Sequence, residues 1–179
     1  MINSESAAVY KTAPAPAPAP APKPRTMSDD QIIKRALSIL HRRARTHSGD
    51  GADSITQPDV AADYCRLALA QQITDGREGF VVVFLDNRHR PTGSKLLSIG
   101  TIDGASVYPR EVARAALAAN AAAVILSHNH PSGDPSPSSA DIAVTSKIKS
   151  ALDTVSIRVL DHVVIGLDCH VSLTEKGLI

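Results

Sequence analysis

The sequence predicts an α/β (α+β) domain, a mixed central β-sheet flanked by helices, with a short helical N-terminal extension. Three observations carry this expectation. Short apolar runs rich in β-branched residues, Phe80 to Leu85 and Ala122 to Leu126, have the length and continuity of buried strands. Helical stripes alternate with them, at Pro109 to about Ala119 and at Ser138 to Leu152. A chain of 179 residues holds one domain with a substantial core, and is too short for two of ordinary size once its proline-rich leader is set aside.

Composition narrows the function classes. The net charge of +1 gives no global electrostatic argument for nucleic acid or a membrane surface, and an aromatic content of 3% weakens any base-stacking role. Cys65 and Cys169 stand far apart and outside any Cys-x-x-Cys pattern, so they read as buried or free thiols of a reducing compartment. No N-terminal apolar stretch resembles a signal peptide, and no run approaches membrane-spanning length. The expectation is a cytoplasmic protein without membrane contact.

Taken in order, residues 1–27 form an Ala/Pro-rich tail. Repeated proline removes amide donors and favours extended polyproline II, so this segment cannot build a core. Residues 28–76 form the helical extension. Ser28-Asp-Asp-Gln31 opens as a capping box, and Ile33, Leu37, Leu40 and Ala44 share one stripe of a helix from about Asp29 to Arg45. Its other faces carry Lys34, Arg35, Arg42, Arg43 and Arg45, which read as a solvated face or as an electrostatic contact with nucleic acid or an acidic partner. A Gly/Asp-rich hinge, His47 to Ser54, leads to a second helix. That helix starts at Thr56-Gln-Pro-Asp, turns Val60, Tyr64, Leu67 and Ala68 inward, and ends near Thr74 to Gly76.

Residues 77–179 form the domain proper. Phe80 to Leu85 and Lys95 to Ile99 read as a hairpin around a turn at Asn87 to Gly93. Pro109 starts a helix that Asn120 ends in a left-handed stop, and the helix from Ser138 turns Val144, Ile148 and Ala151 inward. Ile157 to Leu160, Val163 to Ile165 and His170 to Leu173 supply short final strands.

The chemistry concentrates in Ser127-His-Asn-His-Pro-Ser-Gly-Asp-Pro-Ser-Pro-Ser-Ser-Ala-Asp141. Strand side chains alternate, so His128 and His130 point the same way at the end of a buried strand. The Pro/Gly/Ser loop can fold Asp141 back towards them. Two histidines, one carboxylate and a water are the ligand count of a catalytic zinc site, which keeps one position open. Ser138 with Asp141 also fits a plain helix start, with the serine as N-cap and the acid in the first turn. The two readings are compatible, because a cap can also fix where Asp141 points. Hydrolysis further needs a group that moves a proton between water and leaving nitrogen. Glu78 is the candidate, standing where the first core strand begins beside the histidine-bearing strand. Glu111 is the alternative, although its place at a helix start is already explained by the dipole. His162 and His170 fall on strands, where a histidine is usually packed or exposed rather than ligating, and Asp134 and Asp161 flank the site region.

His128-x-His130-Pro131, then six residues, then Ser138-x-x-Asp141, resembles the JAMM motif of the JAB/MPN metalloprotease superfamily. Gly100-Thr-Ile-Asp, Val107-Tyr-Pro-Arg-Glu111, Leu160-Asp-His-Val-Val-Ile165 and Glu175-Lys-Gly-Leu178 resemble its RadC-like branch, over roughly Glu78 to Ile179 and more weakly Gln57 to Gly76. The resemblance implies the JAB/MPN (cytidine-deaminase-like) architecture and Zn2+ on His128, His130 and Asp141. It also implies Glu78 as acid/base, and Ser138 as the residue that stabilises the oxyanion or orients the water.

The expected function is therefore a zinc metallohydrolase acting on a peptide or isopeptide bond of a peptide or protein substrate. A DNA-repair-associated accessory or DNA-binding protein is the alternative that the family label and the basic first helix suggest. A metal-binding interaction module without turnover is a third reading, against which stand both Glu78 and Ser138.

Overall fold

The computed structural model describes residues 54–73, 76–100 and 107–179. The Ala/Pro tail, the basic first helix, nearly all of the hinge and most of the loop from Gly100 to Tyr108 lie outside the described residues. Within them the chain forms a five-stranded mixed sheet with three helices, as the sequence predicts.

Helix α1, Pro58–Gln72, starts on a proline whose fixed φ suits the first helical position. Gln57 occupies the N-cap position in extended conformation and makes no side-chain capping bond, so Thr56 is not the cap. Strand β1, Gly79–Leu85, is buried along its whole length. Strand β2, Pro91–Ile99, begins four residues earlier than the hydrophobic pattern indicates. The reason is Asp86: its Oδ1 accepts from the amides of Arg88 and Arg90 at 2.8 and 3.0 Å, closing the turn early and freeing Pro91 to Ser94 to pair. Helix α2, Pro109–Ala118, is stopped by Asn120 at φ 50, the expected left-handed residue. Strand β3, Ala123–Asn129, carries the first histidine of the motif, and helix α3 follows as Ser139–Asp153. Strand β4, Arg158–Ile165, and β5, His170–Ser172, complete the sheet.

The strand order is β2-β1-β3-β4-β5. β1 runs antiparallel to both β2 and β3, β3 and β4 are parallel across the α3 connection, and β5 returns antiparallel to β4. One face packs Val81, Val83, Leu85, Ile125 and Val163 under α1. The other packs Phe80, Val82, Phe84, Val124 and Leu126 under Val112 and Ala116 of α2 and Ile148 and Leu152 of α3. Helix α1, which the sequence assigns to the extension, thus covers one face of the sheet through Ala61, Ala62, Cys65, Ala68 and Leu69.

Two elements differ in detail from the sequence reading. α3 is rotated slightly, burying Thr145, Ile148 and Leu152 and leaving Val144 only partly buried against the core. β4 is one strand rather than two, with a register shift where Val124 and Ile125 face Val159 and Asp161. The extra residue, Leu160, interrupts the alternation, so Val159 packs towards α2 and α3 while both Leu160 and Asp161 turn to the α1 face. His162 is thereby returned to the face that carries His128.

Ile148 is fully buried where α3 meets the sheet. Ile148→Ala should lower stability by about 2–5 kcal/mol, read from denaturant unfolding.

Candidate metal centre

β3 ends at the open rim of the sheet, and its alternation sends His128 and His130 to the α3 side. The chain then turns through Gly133 at φ +85 and enters α3 at Ser138. This entry is a capping box. The Ser138 hydroxyl accepts from the amide of Asp141 at 3.2 Å, and Asp141 Oδ2 accepts from the amide of Ser138 at 2.7 Å. The Ser138 hydroxyl proton also goes to Asp141 Oδ2, at 2.6 Å. The helix start therefore holds the carboxylate by Oδ2 and leaves Oδ1 turned to His128.

His128, His130 and Asp141 each bring a ligand atom within 4.8 Å of the others. The two Nε2 atoms lie 3.0 Å apart, Asp141 Oδ1 is 3.4 Å from His128 Nε2, and Oδ2 is 3.9 Å from His130 Nε2. The His128 side chain is 2% exposed against 19% for His130 and 18% for Asp141, so the cluster is closed beneath and open above. His130 Nδ1 donates to the Asp134 carbonyl at 2.7 Å, which leaves Nε2 as its lone pair. A zinc ion takes imidazole nitrogens at about 2.0–2.1 Å and tolerates three protein ligands with one open position. Two imidazole nitrogens and a carboxylate oxygen around one gap fit that donor set.

Glu78 enters from the neighbouring strand. Phe80 pairs with His128 across β1 and β3, and the same register carried past the end of β1 puts Glu78 opposite His130 on the same face. Its backbone is clamped on both sides by Asn129, whose Oδ1 accepts from Gly79 at 2.9 Å and whose Nδ2 donates to the Arg77 carbonyl at 3.0 Å. Partial burial raises the Glu78 pKa, with His130 opposing that rise and the Asp141 charge adding to it. Glu111, by contrast, sits in the first turn of α2 in an ion pair with Arg114, and this bond holds its carboxyl below the usual range.

The cluster has an inner layer that the sequence does not single out. His162 is fully buried, its Nε2 2.8 Å from His128 Nδ1 and its Nδ1 2.5 Å from Thr145 Oγ1. Phe80 stacks on His128 at 6.3 Å and meets His162 edge-on at 5.4 Å. Burial pushes the His128 pKa down to about 4 and that of His162 down to about 3, so both rings are neutral at physiological pH. For Asp141 burial acts upward, but the Ser138 hydrogen bond and the nearby His128 outweigh it and leave the pKa lowered. Of the flanking acids, Asp134 serves through its backbone carbonyl. Asp161 faces the α1 side, accepting from the amide of His162 at 2.7 Å and from Ser172 Oγ at 2.6 Å, so its role is to fasten β5. His170 lies at the sheet edge, 3.5 Å from Asp59. Cys65 is buried and Cys169 exposed, both free thiols.

A mixed five-stranded sheet between helices, with an open His-His-Asp cluster at the rim of its central strand, defines a JAB-type α/β domain. The profile of the RadC-like JAB domain matches residues 55–178, and the chain belongs to that family. It is 55% identical to a UPF0758 protein of Marinomonas sp. (strain MWYL1), over 67% of this chain and 54% of that protein. It is 48% identical to one of Stenotrophomonas maltophilia (strain K279a), over 80% of this chain and 60% of that protein. A UPF0758 protein of Vibrio cholerae serotype O1 is 46% identical over 83% of this chain and 89% of its own length. The chain thus spans little more than half the length of the first two. Among the described residues no helix is long and apolar enough to cross a membrane.

Two buried neutral histidines set the acid limit of the metal-free fold. Each has a folded pKa below the ordinary 6.5, so the unfolded chain binds more protons once pH falls beneath that value. Stability should be full above 6.5 and decline as pH drops through about 4 and about 3, with the lowered Asp141 acting in the same direction at the acid end. Denaturant unfolding of the metal-free chain from neutral pH downward measures this; a flat profile would contradict it.

Proposed function

We propose that the chain is a zinc-dependent metallohydrolase, a metallopeptidase or isopeptidase whose substrate is a peptide or protein. The observation that carries this reading is the convergence of His128, His130 and Asp141 on one gap, with Glu78 near enough for the charges of His130 and Asp141 to act on its carboxyl. Zinc held by those three side chains would supply a Lewis acid and a water with a pKa near neutrality.

The chain's own residues would do the rest. Glu78 takes the proton of the attacking water and passes it to the leaving nitrogen, and its raised pKa brings the carboxyl closer to the working pH of such a shuttle. Asn129 keeps that carboxylate in place by holding the backbone before and after it. Ser138, whose hydroxyl lies on Asp141 Oδ2, is a side-chain donor beside the cluster that can turn to a developing oxyanion. A ligand cluster that served only structure would need neither a glutamate with a raised pKa nor an open side.

Protein purified without chelator should carry stoichiometric zinc, and His128→Ala or His130→Ala should lose it with the fold largely kept, by metal analysis and circular dichroism. Absence of zinc from the wild-type chain would discard the metal assignment.

Glu78→Gln should retain zinc and abolish hydrolysis, while Ser138→Ala should lower turnover by about two orders of magnitude. The assay is a zinc-dependent cleavage screen with peptide, isopeptide and nucleic-acid substrates, using the Glu78 variant as control. Cleavage or salt-sensitive binding confined to nucleic acid would favour the DNA-associated reading instead.

A further inference from the structure

Behind His128, on the side of its ring away from His130 and the Asp141 carboxylate, three groups run in line. His128 Nδ1 meets His162 Nε2 at 2.8 Å, His162 Nδ1 meets Thr145 Oγ1 at 2.5 Å, and Thr145 Oγ1 lies 2.5 Å from the carbonyl oxygen of Asp141. The protons on this line can be counted from its far end. A carbonyl only accepts, so the single hydroxyl proton of Thr145 goes to Asp141. Thr145 must then accept from His162, whose proton is therefore on Nδ1. A neutral imidazole has one N–H, which makes His162 Nε2 a bare acceptor and assigns the proton between the rings to His128 Nδ1. Were the hydroxyl to point at His162 instead, it would face the Asp141 carbonyl lone pair to lone pair at 2.5 Å.

Two further observations make this line a device rather than ordinary packing. His162 and Thr145 have no exposed surface, so no water can replace either partner. The bulge at Leu160 is what turns His162 to this face of β4. His130 reaches the same protonation pattern by a separate route, through the Asp134 carbonyl, so the two bare Nε2 atoms face each other at 3.0 Å, a contact that only a cation between them satisfies.

We propose that His162 and Thr145 are positioning residues, which lock His128 as its Nδ1–H tautomer and so present its Nε2 lone pair to a divalent metal ion. The inference deepens the metallohydrolase reading and rests on it for what Nε2 faces; the tautomer follows from the hydrogen-bond chain. Thr145 also ties that lock to the backbone of Asp141, so two of the three ligands are set by one contact.

The test is nitrogen NMR of the histidine rings in the full-length chain labelled with 15N, metal-free at neutral pH, together with zinc affinity from competition with a chelator. In the wild-type chain His128 and His162 should both be protonated at Nδ1. In Thr145→Val, which keeps the shape and removes the hydroxyl, His162 should shift its proton to Nε2 and drive that of His128 onto Nε2. Zinc affinity should then fall roughly 10- to 100-fold, and Thr145→Ser should restore both readouts. A wild-type His128 protonated at Nε2 would overturn the proposal, and that spectrum decides the tautomer even where the valine variant fails to fold. Wild-type tautomers and affinity in a folded Thr145→Val would overturn it as well. The stated tautomers in a wild-type chain that binds no zinc would instead overturn the metal reading, and with it the purpose given to the lock.

Discussion

The antiparallel register between β1 and β3 is the constraint on which the candidate site depends. A strand pair fixes which residues stand opposite one another, and a slip of one residue would send every side chain to the other face. With Phe80 opposite His128, the imidazoles and the Glu78 position fall on the α3 side, while Ser127 and Asn129 fall on the other. The register is itself enforced by burial. Val81, Val83 and Ile125 must meet α1, and Val82, Phe84 and Leu126 must meet α2 and α3. The hydrophobic effect that assembles the sheet thus orients the polar groups at its rim, with no separate scaffold.

Asp141 reaches the same place through local chemistry of a different kind. A helix start leaves amides without partners, and Ser138 and Asp141 satisfy two of them reciprocally. The plain capping interpretation and the ligand interpretation of these residues are therefore one arrangement. The cap engages Oδ2 with both Ser138 donors and leaves Oδ1 on the side of His128. Stabilising the helix and aiming the carboxylate are the same set of contacts.

Much of this is legible in the sequence because it depends on short-range pattern. Strand alternation pairs His128 with His130, the serine and acid three residues apart mark the entry of α3, and Asn120 stops α2 by tolerating positive φ. The inner layer is not legible for a corresponding reason. His162 lies 34 residues from His128, and strict alternation from Val159 would turn it away from the site. A bulge is a property of the strand pair, not of either strand alone, so splitting β4 at Leu160 hides it. Thr145 reads as a polar position beside the inward stripe of α3, and its burial makes sense only once His162 is known to face it. The early start of β2 is of the same type, since Asp86 closes the turn by reaching amides two and four residues on.

The contrast in burial across the cluster matches the separate roles that the metallohydrolase reading gives its two layers. His128, His162 and Thr145 are sealed, so their hydrogen bonds meet no competition from water and charging either ring is disfavoured. His130, Asp141 and Glu78 keep partial access, which the metallohydrolase reading asks of groups that would meet a substrate and exchange protons. A cluster sealed on both sides would exclude substrate, and one open on both sides would let water compete for the imidazole nitrogens. The sheet supplies the closed side because His128 lies one strand-pair inside its rim, opposite Phe80, while His130 lies at the rim itself. Two residues along a strand, about 7 Å, thus separate a candidate ligand fixed by the core from one fixed by a loop.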